Sequence, residues 1–257
     1  MKQFGLIGYP LIHSFSKQYF TQKFDREKID ACYHLYELSR IEEFPALCQT
    51  NQLNGLNVTI PYKEKILPYL HELDQIADSV KAVNVIKFLH TDGELRLKGY
   101  NTDVVGFTES IRPHIDFMKL NRWKNSTSST PLKAIIFGTG GAAKAVKYGL
   151  ESLGIDVDVV SRTKRNNTLE YKELSYDVFA THHILINATP LGTYPNINEC
   201  IPIQFDGINE NHLLFDVVYN PEETLFLRQS KNRGAHTVNG LQMLYKQAEA
   251  AWKIWNL

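Results

Sequence analysis

LKAIIFGTGGAAKAVKYGLESLGIDVDVVSRTKR, residues 132–165, decides the fold. Its first six residues are an apolar run too short for a helix and of the composition a buried strand prefers. Gly138-Thr139-Gly140-Gly141-Ala142-Ala143 follows at once, then an Ala-rich helical pattern to about residue 153 and a second apolar run over 155–160. Strand, glycine turn, helix and strand in this order and length make the βαβ unit of dinucleotide-binding proteins.

The turn has a specific physics. Gly138 permits a tight exit from the strand, Gly140 lets the backbone approach a pyrophosphate, and Ala143 is small where helix and strand pack closely. The free amides at the helix start, around Thr139, Gly141 and Ala142, then face two negative phosphates with the helix dipole behind them. The bland alternative is a glycine turn in an α/β domain that binds nothing. At the tip of the second strand, Ser161-Arg162-Thr163-Lys164-Arg165 offers cations and hydroxyls and no acid. An NAD site puts Asp or Glu there, whereas a 2′-phosphate calls for Arg or Lys, so the tip points to NADP, with Arg162 as a planar fork on the phosphate. A solvated basic loop is the ordinary competing explanation.

Composition bounds the rest. At 257 residues, 43% hydrophobic and 22% charged, the chain can bury a core as one large domain or two modest ones. A formal net charge of +0 gives no reason to expect nucleic acid or an anionic membrane as partner. Cys32, Cys48 and Cys200 are odd in number and widely spaced, and the nine histidines lack metal-ligand spacing, so no disulfide framework and no metal site are expected. The N-terminus reaches Gly8 and Pro10 before any signal-length apolar run, and no window approaches a membrane span. The expectation is a soluble, cytoplasmic protein.

Working outward from the turn, residues 3–8 look like a first strand. Ser14 and Ser16 follow, two residues apart, so in an extended backbone both hydroxyls point the same way. A helix is expected over 17–24, with Ser16 as its cap, and the same pair of serines is a good carboxylate seat. A strand over 33–38 and a helix over 41–49 come next. In Gly55-Leu56-Asn57-Val58-Thr59-Ile60-Pro61-Tyr62-Lys63-Glu64, residues 58–60 should end a strand and Pro61 should start a helix. That would put Lys63 in a helical first turn, where the dipole disfavours a cation, at a strand end where sites gather in α/β sheets. Asn84 is the odd polar residue among apolar neighbours, Gly93 looks like a hairpin turn, and Thr102 or Asp103 could cap a helix over 104–118. The polar run 125–130, NSTSST, reads as an exposed connection.

Beyond the βαβ unit, residues 184–187 and 213–219 look like further central strands, and the loops carrying Thr189 and Tyr219 would fall beside the cofactor. Residues 240–255 form a closing amphipathic helix, with Leu241, Leu244, Ala248, Ala251 and Trp255 on its core face. Gly240, Met243 and Gln247 share a neighbouring face.

Taken together these segments resemble the shikimate dehydrogenase family. The resemblance runs from Gly8 to Gln247 through IHSFS (12–16), GLNVTIPYKE (55–64), AVNV (82–85), GYNTDVVG (99–106), GTGGAAK (138–144), SRT (161–163), NATPLG (187–192), DVVYNP (216–221) and NGLQML (239–244), in the family's order. It implies an α/β fold of two domains: an N-terminal substrate domain over 1–103, a Rossmann-like NADP domain over 104–236, and a last helix, 237–257, returning to pack on the first. It implies reversible NADP-dependent reduction of 3-dehydroshikimate to shikimate, on the route to aromatic amino acids, by a monomer or homodimer. By the same resemblance Lys63 and Asp103 are the catalytic pair. Ser14, Ser16 and Tyr219 hold the substrate carboxylate, and Thr59, Asn84 and Gln247 read its ring hydroxyls. Gly138, Thr139, Gly140, Gly141, Ala142, Ser161, Arg162, Thr163, Thr189, Gly240 and Met243 line the cofactor. The chain departs from the family's usual residues at Lys17, Val85, Ser161 and Thr193, where Pro, Thr, Asn and Met are common.

Two rival readings carry different expectations. A quinate or aminoshikimate dehydrogenase of the same fold would keep Lys63 and Asp103 and alter the polar groups around them. A silent NADP-binding sensor would bind cofactor without turnover, which an intact Lys63 and Asp103 argue against. A third, a glutamyl-tRNA-reductase-like enzyme, is disfavoured because no cysteine of this sequence stands in a comparable nucleophile context and no basic face awaits tRNA.

Overall fold

The computed structural model describes residues 1–11, 14–91, 93–124, 131–164 and 167–257. The chain divides into two compact units, Met1–Thr102 with Ala248–Leu257, and Asp103–Gln247. The connection expected over 125–130, Ile12 and His13 of the first motif, and Arg165 of the basic tip lie outside the described residues.

The first unit runs β1 (Lys2–Gly8), α1 (Phe15–Glu27), β2 (Ala31–Glu37), α2 (Phe44–Thr50), β3 (Gly55–Val58), β4 (Glu72–Leu73), α3 (Gln75–Val80), β5 (Val85–Thr91) and β6 (Glu94–Tyr100). Its sheet has the order β2-β1-β3-β5-β6-β4. β1, β2 and β3 are parallel, whereas β5 pairs antiparallel with β3 and forms an antiparallel hairpin with β6. The carboxyl ends of β1 and β3 therefore meet the amino end of β5, which brings Gly8, Thr59 and Asn84 to one edge.

Three local expectations are corrected here. α1 is capped by Ser14, not Ser16: the extended Ser14 accepts the Lys17 N–H at 3.2 Å. The helix starts early because Phe15 stacks on Tyr19 one turn on, with ring centroids 5.6 Å apart. No helix starts at Pro61. The Tyr62 N–H returns to the Thr59 carbonyl at 2.9 Å, the Ile66 N–H returns to Tyr62 at 2.9 Å, and Ile60–Pro61 is cis. Lys63 thus sits in a run of turns, and the dipole cost expected for it does not arise. The helix expected over 41–49 opens instead as a 3₁₀ turn, Ile41–Glu43, before α2.

The second unit follows with α4 (Thr102–Lys124), β7 (Lys133–Phe137), α5 (Gly141–Ser152), β8 (Asp156–Ser161), β9 (Leu169–Glu170), α6 (Tyr176–Thr181), β10 (Ile184–Asn187), β11 (Leu213–Asp216), α7 (Leu225–Lys231), β12 (His236–Val238) and α8 (Leu241–Trp255), the two long helices α4 and α8 crossing the division between the units. Its sheet is all parallel, in the order β12-β11-β10-β7-β8-β9. Read from β9, with the strands counted along the chain, that is 3-2-1-4-5-6, the doubly wound dinucleotide-binding order with its switch point between β7 and β10. Every residue of β10 and β11 is buried, as expected of strands covered on both faces. Alternation divides β7: Ala134 and Ile136 join a cluster with Phe107 and Val146, while Ile135 and Phe137 join Leu185 and Phe226.

α4 extends past the expected 104–118 at both ends, and Thr102 and Asp103 lie in its first turn instead of capping it. The cap comes from outside, as the Thr102 N–H donates to Asn84 Oδ1 at 2.7 Å. The strand expected over 213–219 stops at Asp216, because the Asp216 carboxylate takes the Val218 N–H at 2.9 Å. The end of α8 belongs to the first unit. There Ala248, Ala251 and Trp255 fill a cluster with Phe4, Phe20 and Tyr33, and Trp255 Nε1–H donates to the Ile86 carbonyl at 3.1 Å. Buried Lys23 of α1 holds Glu249 at 3.0 Å.

Candidate functional site

In the second unit the site begins where β7 ends. Gly138 has φ +116°, and a Cβ there would lie 2.9 Å from the Ala188 carbonyl of the neighbouring β10 loop. The close approach follows from the switch point, where the chain leaves β7 one way and β10 the other. Two residues on, Gly140 caps α5 at φ −80°, ψ −176°, with no side-chain hydrogen bond, and a Cβ there would meet nothing within 4 Å. The first amides of α5 thus lack a side-chain cap and open onto free space, which fits a pyrophosphate. Ala143 is buried, as close packing requires.

The β8 tip is less basic than its sequence. β9 pairs beside it, Ser161 opposite Glu170. Lys164 Nζ then donates to Glu173 at 2.6 Å, and its N–H to Glu170 Oε1 at 3.1 Å. Ser161 is buried and accepts the Thr163 N–H at 3.4 Å. Arg162 and Thr163 are exposed, and the charge of Arg162 acts against the burial that pushes up the Tyr171 phenol. The two glutamates were missed because they lie in an unremarkable polar stretch, and only the pairing of β9 brings them in.

The loops after β10 and β11 carry the other expected contacts. The Thr189 hydroxyl donates to Asn187 Oδ1 at 2.6 Å and accepts the Leu191 N–H at 3.3 Å, so it shapes its own loop. Asn187 and Asp216, both 0% exposed, were missed as single residues although both lie in quoted motifs. A polar side chain closing an otherwise apolar strand was the available signal. Tyr219, 37% exposed, has a phenol raised by its partial burial. Gly240 lies against β11, where a Cβ would come within 2.1 Å of the Val217 carbonyl. Met243 packs in the core with Phe107 and Phe215, and Gln247 donates to its own helix at the Leu244 carbonyl, 3.0 Å away. Asp103, the acid in the first turn of α4, is buried.

In the first unit, Lys63 is placed by its own backbone: the Val83 N–H donates to its carbonyl at 2.8 Å, next to Asn84. Thr59 is anchored where its N–H meets the Ile7 carbonyl at 2.9 Å. Beneath them runs a buried polar chain. Tyr33 donates to Asn57 Oδ1 at 2.7 Å, Asn57 Nδ2 to the Asn84 carbonyl at 3.3 Å, and Asn84 Nδ2 to Thr102 Oγ1 at 2.9 Å. Burial holds the Tyr33 phenol well above its usual range, and the Ser16 hydroxyl acts the other way. Ser14 Oγ accepts from Lys17 and keeps its own proton to donate. Asn57 and Tyr33 were also missed, although Asn57 is the one polar residue in GLNV. Burial pushes the Cys48 thiol up to about 12 and raises that of Cys200 as well, which makes both poor nucleophiles.

Fold and site define a two-unit α/β chain in which one unit is built to bind a dinucleotide at its switch point. Residues 6–86 match the family model of the shikimate dehydrogenase substrate binding domain. The chain is 35% identical to the NADP(+) shikimate dehydrogenase of Carboxydothermus hydrogenoformans, over 98% of this chain and 90% of that one. It is 34% identical to that of Methanosphaera stadtmanae over 98% and 90%. Among solved structures, it resembles Thermus thermophilus shikimate 5-dehydrogenase in complex with NADP(H) and shikimate, with a TM-score of 0.81, 27% identity and coverage of 99% and 93%. The Listeria monocytogenes enzyme in complex with shikimate and NAD gives 0.81, 26% identity and coverage of 100% and 92%. The chain belongs to the shikimate dehydrogenase family.

Proposed function

We propose that this chain catalyses the reversible NADP-dependent reduction of 3-dehydroshikimate to shikimate, as a cytoplasmic enzyme of aromatic biosynthesis acting on a small-molecule substrate. The observation that carries the proposal is an uncapped, open phosphate turn at the switch point of a chain 35% identical, nearly end to end, to a relative named for this activity. In this reading residues 1–103 bind substrate, 104–236 bind NADP, and 237–257 close the first domain. Gly240 and Met243, on the nucleotide side of the compact-unit division at Gln247, serve the cofactor.

The reduced nicotinamide, when bound, supplies hydride to the substrate carbonyl. Lys63 delivers the proton to the emerging alkoxide and steadies its charge, and Asp103 orients that ammonium. Ser14, Ser16 and Tyr219 hold the carboxylate; Thr59, Asn84 and Gln247 read the ring hydroxyls. Gly138, Thr139, Gly140, Gly141 and Ala142 seat the pyrophosphate, while Arg162, with Ser161 and Thr163, holds the 2′-phosphate. Among the described cations of the tip, the hold of Glu173 on Lys164 leaves that selectivity to Arg162.

The test is absorbance of the reduced nicotinamide when purified protein meets shikimate or quinate with NADP⁺ or NAD⁺, in all four pairings. Rapid reduction with shikimate and NADP⁺ alone is the expected result. Faster turnover of quinate would reassign the substrate, and silence in all four with NADPH binding intact would make the chain a sensor.

A further inference from the structure

Asn187 and Asp216 close neighbouring parallel strands and stand opposite one another in register. Neither side chain reaches the surface, and their hydrogen bonds run into the strand-end loops. Asn187 Oδ1 accepts the Thr189 N–H at 2.9 Å and the Thr189 hydroxyl at 2.6 Å. Its amide nitrogen donates to the Leu191 carbonyl at 3.2 Å and to Asp216 Oδ1 at 2.9 Å. Both donors and both acceptor sites of the amide are thereby used. Asp216 Oδ1 also takes the Val218 N–H at 2.9 Å, and Oδ2 takes the Thr224 hydroxyl at 2.6 Å. The Val218 carbonyl in turn accepts the Gly240 N–H at 3.1 Å. One buried pair thus ties the β10 loop, the β11 loop and the start of α8 together.

Burying a carboxylate is costly, and apolar residues of the same volume often serve stability as well. Burial pushes the Asp216 carboxyl up to about 6. What the pair supplies is loop shape. The sheet order puts the 2′-phosphate reader, at the β8 tip, on one side of β7, and the β10 and β11 loops on the other. The second nucleoside of a dinucleotide crossing the switch point falls on that other side.

We infer that Asn187 and Asp216 are positioning residues, which touch no ligand but hold the loops 188–192 and 217–221 in the shape that accepts the nicotinamide end of the cofactor. The inference rests on the proposed function.

Its test is the NADPH dissociation constant, read by nucleotide fluorescence, beside the KM for shikimate. Asp216→Leu is expected to weaken NADPH by about tenfold or more while moving the shikimate KM less than about threefold. Asp216→Asn should return NADPH affinity to within about threefold of wild type, since its amide can accept from Val218 and Asn187 and donate to Thr224. Thr189→Val, at a half-buried position that leaves both anchors in place, should weaken NADPH by about threefold to tenfold even if Asp216→Leu fails to fold. Unchanged NADPH affinity in Thr189→Val, equal losses for NADPH and shikimate, or Asp216→Asn as impaired as Asp216→Leu would each overturn the inference. A wild-type chain that binds NADPH without turning over shikimate sinks the proposed activity alone; one that binds no NADPH sinks both.

Discussion

Two glycines two residues apart should fail in opposite ways. Gly138→Ala puts a side chain at φ +116°, outside the regions L-residues use, which costs about 1–3 kcal/mol. Its Cβ also lands 2.9 Å from the Ala188 carbonyl, whose loop is pinned by the Ala188 N–H donating to Phe137 at 2.9 Å, so overpacking adds about 1–3 kcal/mol. The sum, about 2–6 kcal/mol, is a large part of the stability of an ordinary domain. Gly140→Ala meets no atom and keeps an ordinary extended backbone. The unfolded chain loses entropy worth about 0.4–1 kcal/mol in its favour, and the poorer cap costs about as much, so stability should stay within about 0.5 kcal/mol of wild type. Its methyl does occupy the space a pyrophosphate needs, and NADPH should weaken by about tenfold or more, roughly 1.4 kcal/mol. Urea unfolding and a fluorescence titration with NADPH, run on both variants, read the two effects separately. Wild-type NADPH affinity in Gly140→Ala would refute the placement of the phosphates, and wild-type stability in Gly138→Ala would refute the strained turn.

Lys63→Ala should lower kcat by on the order of a hundredfold or more, with a smaller change in the shikimate KM, as loss of a positioned proton donor does; steady-state kinetics on the folded variant decides it. Arg162→Ala should weaken NADPH far more than NADH, whereas Lys164→Ala, which mainly breaks an exposed pair with Glu173, should change the NADPH-to-NADH ratio by less than about threefold. Competitive titration of both nucleotides checks this, and equal losses in Arg162→Ala would remove the phosphate assignment. Asp216 gives a pH dependence opposite in sign to that of a salt-bridged acid. With its carboxyl raised from 3.8 to about 6, the native state between those values keeps a proton that the unfolded chain has released. Its contribution therefore falls by about 3 kcal/mol as pH rises through that window and is flat above it. The stability difference between wild type and Asp216→Asn, followed by urea unfolding from about pH 4 to about pH 7, isolates the group; a constant difference would contradict the shift.

What was legible in the sequence was whatever one element decides by itself. Residues 132–161 combine two apolar runs, a glycine turn and an Ala-rich helix, so β7, α5 and β8 come out within a residue or two of expectation. Local choice is also where the errors fall. Ser16 and Ser14 are equally good caps by type, and the stacking of Phe15 on Tyr19 chooses between them. Pro61 suits a helix start by type, yet the Thr59 carbonyl captures the Tyr62 N–H and a turn forms instead. Thr102 looks like a cap until Asn84, 18 residues earlier, supplies the cap from the bend just before β5.

The site divides along the same line. Gly138, Gly140 and Arg162 could be assigned roles because each acts through its own backbone or its own charge. Asn187, Asp216 and Asn57 could not, since their partners lie up to 29 residues away and meet them only when strands pair. The β8 tip shows the consequence for specificity. Three cations in five residues read as a phosphate cradle, but the short strand β9 returns Glu173 to Lys164 and takes one of them away. A charge count over a loop measures what the loop carries, while selectivity for a 2′-phosphate depends on what remains after neighbouring strands have neutralised their share. Among the described residues of this tip that places the burden on Arg162, which is why a single substitution there, compared with Lys164→Ala, separates a built phosphate site from a merely basic one.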